Sequence, residues 1–202
     1  MTVSTLRRIL EEHEKWLAKD PTGKRADLRY VDLRNANLCN ANLFGVDLSG
    51  ANLSGADLIR ANLHNANLRC ANLRSADLRS ADLRDTDLRD TDLSGANLYN
   101  ADLSGADLSG ANLNEADLRV ADLHNANLCG ADLDYACLPL CCRSLATHFD
   151  NRQLKQIAYH LVKAGLQSKN ASEETKRELQ KLAAFANGFH RVTECGLIEV
   201  KE

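Results

Sequence analysis

Leucine recurs at every fifth position from Leu28 to Leu138, 23 times without a break. Two residues before each leucine stands a small side chain: alanine in most units, valine at Val31 and Val46, threonine at Thr86 and Thr91. Between the two lies Asp or Asn, until Cys137 takes that place in the last unit. A period of five fits neither regular element. Each five-residue step along an α-helix rotates by about 140° and scatters the leucines around the cylinder. On a straight strand the same step reverses the face every time. A chain that bends once per unit gathers them instead. Asp, Asn, Ser and Gly fill the remaining positions, and these residues favour tight bends. Such a coil points every leucine and every small residue inward. Burying one leucine contributes roughly 1.5–3 kcal/mol. A column of 23 is therefore an adequate core, although aromatics make up only 4% of the chain.

The unit Ala-Asp/Asn-Leu-X-X, repeated over residues 26–138, resembles the pentapeptide-repeat family. The resemblance implies an all-β solenoid, a right-handed quadrilateral β-helix with four units per turn, to which the sequence itself adds flanking α-helices. The chain then divides into an N-terminal cap over 1–25, the β-helix over 26–138 and a helical region over 139–202.

A solenoid leaves its apolar column open at both ends, and these need covers. Ser4 suits an N-cap. Leu6, Ile9, Leu10, His13, Trp16 and Leu17 follow it at helical spacing. This predicts a capping helix over 4–19, ended by Pro21 and Gly23. At the other end Pro139 closes the repeat. Asp150 with Gln153 reads as a capping box, opening a helix through Leu154, Ile157, Leu161 and Val162. Ser172 opens a second helix that Asn187-Gly188 stops. Three roles are open to this region: covering the last coil, pairing with a second copy, or holding a partner. The resemblance implies the homodimer, because family members often dimerise through their C-terminal ends.

With four units per turn, every fourth unit shares a face. One face then shows Cys39, Ile59, Arg79, Tyr99 and Arg119 after its leucines, and its neighbour shows Phe44, His64, Arg84, Ser104 and His124. Phe44, Ile59 and Tyr99 gather near one edge as the only large apolar groups outside the column. Exposed apolar clusters mark interfaces, so Phe44, Ile59, Tyr99, Arg79 and Arg84 are candidate partner contacts. The alternatives are scattered surface residues or a docking place for a terminal helix. Arg69, Arg74, Arg79, Arg84 and Arg89 occupy the same position in five consecutive units. They encircle the rod as a belt among aspartates, where mutual ion pairing on a solvated surface contributes little per pair.

Charge is unevenly divided. Residues 1–25 carry 6 basic and 4 acidic groups, residues 26–138 carry 9 Arg, no Lys and 17 carboxylates, and the remainder carries 10 basic and 7 acidic groups. A middle of net −8 lacks the cationic stripe that direct nucleic-acid binding requires. The family resemblance implies a different relation to nucleic acid, because some members mimic duplex DNA and inhibit DNA gyrase or topoisomerase IV. Nearly six coils at about 4.8 Å each make a rod of roughly 28 Å. A duplex of that length carries about 16 phosphates at one per ~1.7 Å. The 17 carboxylates match this, and the nine arginines halve it. No loop interrupts the repeat. A protein partner such as DNA gyrase, a scaffolding rod, and a phage or host antagonist of another protein all remain open.

No arrangement for catalysis stands out, and no cofactor is expected. The aspartates are equivalent by repetition, so none is singled out as a tuned acid or base. Gly23-Lys24 lacks the rest of a phosphate loop. Cys137, Cys141 and Cys142 with His148 could ligate zinc, but the spacing is not a standard zinc pattern. Buried thiols at a junction are the simpler reading. Seven cysteines with no apolar signal core after Met1 point to reduced thiols in a cytoplasm. No apolar run reaches the length of a membrane-spanning helix.

Overall fold

The computed structural model describes residues 1–138. The expected C-terminal helices, the dimer contact assigned to them, and Cys141, Cys142 and His148 lie outside the described residues.

From Asp27 onward each unit pairs in parallel with the unit twenty residues further on, beginning with Asp27 and Asp47 and ending with Asp117 and Cys137. Twenty residues are four units, so the coil has four sides. The pairing is a single-residue bridge per side, and among the described residues no side extends into a strand. The sheet character expected of a β-helix is thus reduced to one bridging Asp or Asn per unit.

Four backbone bonds recur in each unit, one of them from the corner N–H to the next coil, as Tyr30 donates to the Ser49 carbonyl at 3.0 Å. The leucine N–H donates to the next coil, as Leu28 does to the Asp47 carbonyl at 2.8 Å. The Asp/Asn N–H donates to the previous coil, as Asn52 does to Val31 at 2.9 Å. The small residue's N–H closes a turn onto the preceding leucine, as Ala36 does onto Leu33 at 3.0 Å. That turn requires a positive φ at its third residue. Gly50 supplies it at 66°, but Tyr30, Arg60 and Val120 adopt it too, at 58°, 56° and 64°. Val120 is the most strained of these, because a β-branched residue is crowded in the left-handed region.

The Asp/Asn rule has a local cause. Its side-chain oxygen accepts the N–H two residues on, as Asp47 does from Ser49 at 3.0 Å. This is the Asx turn that these two residues favour, and it sets the bend.

Every leucine from Leu28 to Leu133 is buried, while Leu138 is half-buried. The small residues join them at Ala26 and from Val46 to Ala131. In the first coil Val31, Ala36 and Ala41 stay half-exposed, because that end is only partly covered. Thr86 and Thr91 are buried with their hydroxyls satisfied, donating to the carbonyls of Leu63 and Leu68 at 2.9 and 2.8 Å.

One helix, α1, spans Val3–Leu17. Its N-cap is Thr2, whose hydroxyl accepts the Thr5 N–H, so the expected start at Ser4 moves two residues upstream. It stops at an Ala18 cap, followed by Lys19 with a φ of 60°, before Pro21 or Gly23 is reached. Its stripe of Leu6, Ile9, Leu10 and Leu17 is half-buried, and His13 is its one fully buried residue. The terminal amine donates to the Asp32 carbonyl of the first coil at 3.4 Å.

Candidate protein-binding faces

The twenty-residue register sorts the surface into four faces, named here by their first leucine. The Leu38 face carries Arg60, Arg79 and Arg119 against Asp57, Asp77 and Asp117, and is formally neutral. The other three are acidic. The Leu28 face has Arg29, Arg69 and Arg89 against five aspartates. The Leu33 face has Arg34 and Arg74 against four aspartates and Glu115. The Leu43 face has Arg84 alone against four aspartates. The net charge of the rod is therefore displaced to three sides.

The arginines do not act alike within this field. Where the bridging residue is Asp and the residue after leucine is Arg, the two form a forked pair. Arg79 donates through Nε and Nη2 to the Asp77 carboxylate at 2.8 and 2.6 Å, and Arg84 does the same to Asp82 at 2.8 and 2.6 Å. Arg29, Arg34, Arg89 and Arg119 repeat this geometry with Asp27, Asp32, Asp87 and Asp117. Where the bridging residue is Asn, the fork is missing. Arg69 reaches only Asp90, at 3.7 Å, and Arg74 has no ion pair among the described residues. The belt of five arginines thus splits into three locally neutralised groups and two largely free ones. Mutual ion pairing within the belt is as the sequence suggested; the choice of partner, set by Asp two residues before Arg, is what the structure adds.

The guanidinium beside Asp27 and a backbone N–H from the same Arg29 hold that carboxyl at about 2. Asp32 lies at about 2 for the same reasons, with Arg34 as partner. These pairs are exposed, so their effect on stability is small and screened by salt. A folded value below the unfolded one means that the interaction is complete above the ordinary aspartate range near 3.9 and fades as pH falls toward about 2. Carboxyl NMR is expected to show Asp27 titrating at the lower end of that window, and Arg29→Gln to return it toward the ordinary value.

The candidate contacts fall into two groups. Ile59, Arg79 and Tyr99 follow one another on the Leu38 face. Ile59 is half-buried and Tyr99 is 43% exposed, with the Arg119 guanidinium 5.9 Å over its ring. Ile59 and Tyr99 sit two coils apart, about 10 Å at the usual spacing. Phe44 and Arg84 lie on the neighbouring Leu43 face. Phe44 is half-buried, stacks on His64 with centroids 5.3 Å apart, and lines a hollow with Trp16, Leu17 and Gly23. It belongs to the seat of α1 and not to the Tyr99 cluster. Nor are these the only large apolar groups off the column, because Tyr30, Val120 and Tyr135 are exposed at the corners. Sequence periodicity placed residues by face but did not distinguish corner from side.

Among the described residues no cluster of His, Cys, Asp or Glu is arranged to hold a metal ion. Cys39, Cys70, Cys129 and Cys137 are free thiols, and Cys137 is exposed and not buried at a junction as the sequence suggested.

A family model for pentapeptide repeats matches the chain in eight copies, over residues 24–58, 56–95 and 96–134. No curated protein matches it. Among solved structures, a trypsin-treated form of QnrB1, a plasmid-mediated fluoroquinolone resistance protein, is 25% identical with a TM-score of 0.57, covering 69% of this chain and 70% of that one. Full-length QnrB1 is 24% identical with a TM-score of 0.56, covering 69% and 72% respectively. A pentapeptide repeat protein from the Arabidopsis thaliana thylakoid lumen is 25% identical over 74% of this chain and 86% of its own, at a TM-score of 0.33. The matched stretches span more than half of the sequence, and the coil they describe is the one built above from leucine, Asx turn and left-handed corner: the chain belongs to the pentapeptide-repeat family.

Proposed function

We propose that this protein is a non-enzymatic binding rod whose acidic faces dock into the DNA-binding surface of a protein partner, with DNA gyrase as the leading candidate. The observation that carries this reading is the charge distribution. Three contiguous sides are acidic and the fourth is neutral, so one broad flank of the rod offers the sign of charge that a cationic DNA groove accepts. The likeness to QnrB1, a fluoroquinolone resistance protein, supports a target in the same class. Tyr99 and Ile59, with the ion-paired Arg79 between them and Arg84 on the next face, are proposed as the rest of the contact, while Phe44 serves the seat of α1. The chain is proposed to act in the cytoplasm, with reduced thiols, and to dimerise through residues 139–202.

The test is gyrase supercoiling in vitro with increasing amounts of the full chain. Inhibition or protection that weakens as salt rises supports the reading, because screening removes the charge attraction. No effect at high protein excess favours a scaffolding rod or an antagonist of some other protein. In the same assay, loss of the effect in Tyr99→Asp assigns the Leu38 face to the contact, and an unchanged effect removes it.

A further inference from the structure

The buried end of α1 contains a feature that partner binding does not use. His13 is fully buried, and its Nδ1 accepts the backbone N–H of Ala26, the first residue of the first coil, at 3.2 Å. That bond requires a bare Nδ1, so the ring is neutral with its proton on Nε2. Nε2 is buried too and has no hydrogen-bond partner within normal geometry, with the Phe44 backbone beside it. The ring stacks on Trp16, with centroids 5.4 Å apart and planes 16° from parallel. Beside it stands Arg25, fixed by an Nε bond to the Gly45 carbonyl at 2.7 Å.

We propose that His13 is a proton-operated latch, which holds α1 on the first coil while neutral and lets it go when protonated. Adding a proton at Nδ1 turns an acceptor into a donor aimed at another donor, the Ala26 N–H. It also places a positive charge in a buried site next to Arg25. The charged groups facing the ring are Arg25 from the connecting segment, which opposes protonation, and Glu14 of α1, which favours it weakly. The first coil contributes the Phe44 backbone, which favours the proton second only to the opposing effect of burial, and the Ala26 N–H, which faces Nδ1 as a donor. Burial is the largest influence and moves the ring below the ordinary histidine range.

The sign follows from this. With a folded value below the unfolded one, the latch is fully closed above about 6.5 and opens as pH falls toward the folded value. Opening uncovers the apolar end at Val31, Ala36 and Ala41, and an edge whose N–H groups at Asp32, Asn37 and Asn42 have no partner among the described residues. Such an edge is a template for another chain.

Trp16 is the only tryptophan of the chain and reports directly on the stack. Its fluorescence, followed from about pH 8 to about pH 4 on the full chain, is expected to show a one-proton transition with a midpoint below 6.5. Binding of an apolar dye is expected to rise with the same midpoint. His13→Asn keeps an acceptor near the Nδ1 position without a titrating ring, and is expected to lose the transition. Ring nitrogen shifts of His13 in the unaltered protein give the same midpoint independently, should that variant not dock. A flat wild-type profile overturns the proposal. So does an unchanged midpoint in His13→Asn, or a His13 ring that titrates apart from the Trp16 signal.

Discussion

Leu83→Ala is expected to lower the unfolding free energy of the repeat region by about 2–5 kcal/mol. Leu83 is completely buried, and its N–H is tied to the Asp102 carbonyl of the next coil at 2.7 Å. Its interior neighbours are other leucines and small residues already at their minimum size, so little can move in to fill the space. The loss should appear in urea unfolding as a shifted midpoint. Because each coil touches only the coils above and below, a break in the middle is also expected to uncouple the two halves, which would broaden the transition. Arg84→Ala, one residue away, is the comparison. It removes an exposed ion pair and should move the midpoint far less. If the two variants behaved alike, the leucine column would not be what holds the rod together.

Gly23→Ala is expected to detach α1 at every pH. Gly23 packs so closely on α1 that an added Cβ would collide with the Trp16 backbone nitrogen and the Lys15 carbonyl carbon. Neither is the end of a flexible side chain, so the collision cannot be relieved by a rotamer change. Overpacking of this kind costs about 1–3 kcal/mol even where some adjustment is available. The neighbouring ties fail with it: Gly23 N–H to the Asp20 carbonyl at 2.9 Å, and Lys24 N–H to the Glu12 carbonyl at 3.0 Å. A detached helix of 15 residues is marginal in water. Trp16 should therefore report an unstacked indole, and the helical signal in circular dichroism should fall while the coils persist. An unchanged Trp16 emission would mean that α1 is held without this close approach.

The interior of the coil was legible in the sequence because one physical demand repeats. Leucine and alanine at fixed spacing admit no straight element, and the twenty-residue register follows once four sides are granted. The surface was less legible, because its logic lies in pairs and not in positions. Arg79 and Arg74 look equivalent along the chain, yet Asp77 neutralises one and Asn72 leaves the other free. Phe44 and Tyr99 both read as exposed apolar groups, but the seat of α1 occupies the first. Helix α1 starts two residues before the expected position because residue type favours Ser4 over Thr2 as a cap, whereas the helix is in fact capped by the Thr2 hydroxyl. His13 was assigned correctly to the apolar stripe, but nothing in the spacing could show that its ring faces a backbone donor.

The forked Asp–Arg pair spans two residues within a single unit, and the backbone bonds reach no further than one coil in either direction. A twenty-residue block therefore carries its forked ion pairs with it and meets the same backbone bonding above and below. Among the ion pairs of the described residues, only longer contacts such as Arg69 to Asp90 at 3.7 Å cross to the next coil. Duplicating or deleting such a block would lengthen or shorten the rod by one step and leave every remaining side chain on the face it occupied before. Reach along a target can then be changed by whole coils, independently of what each coil displays.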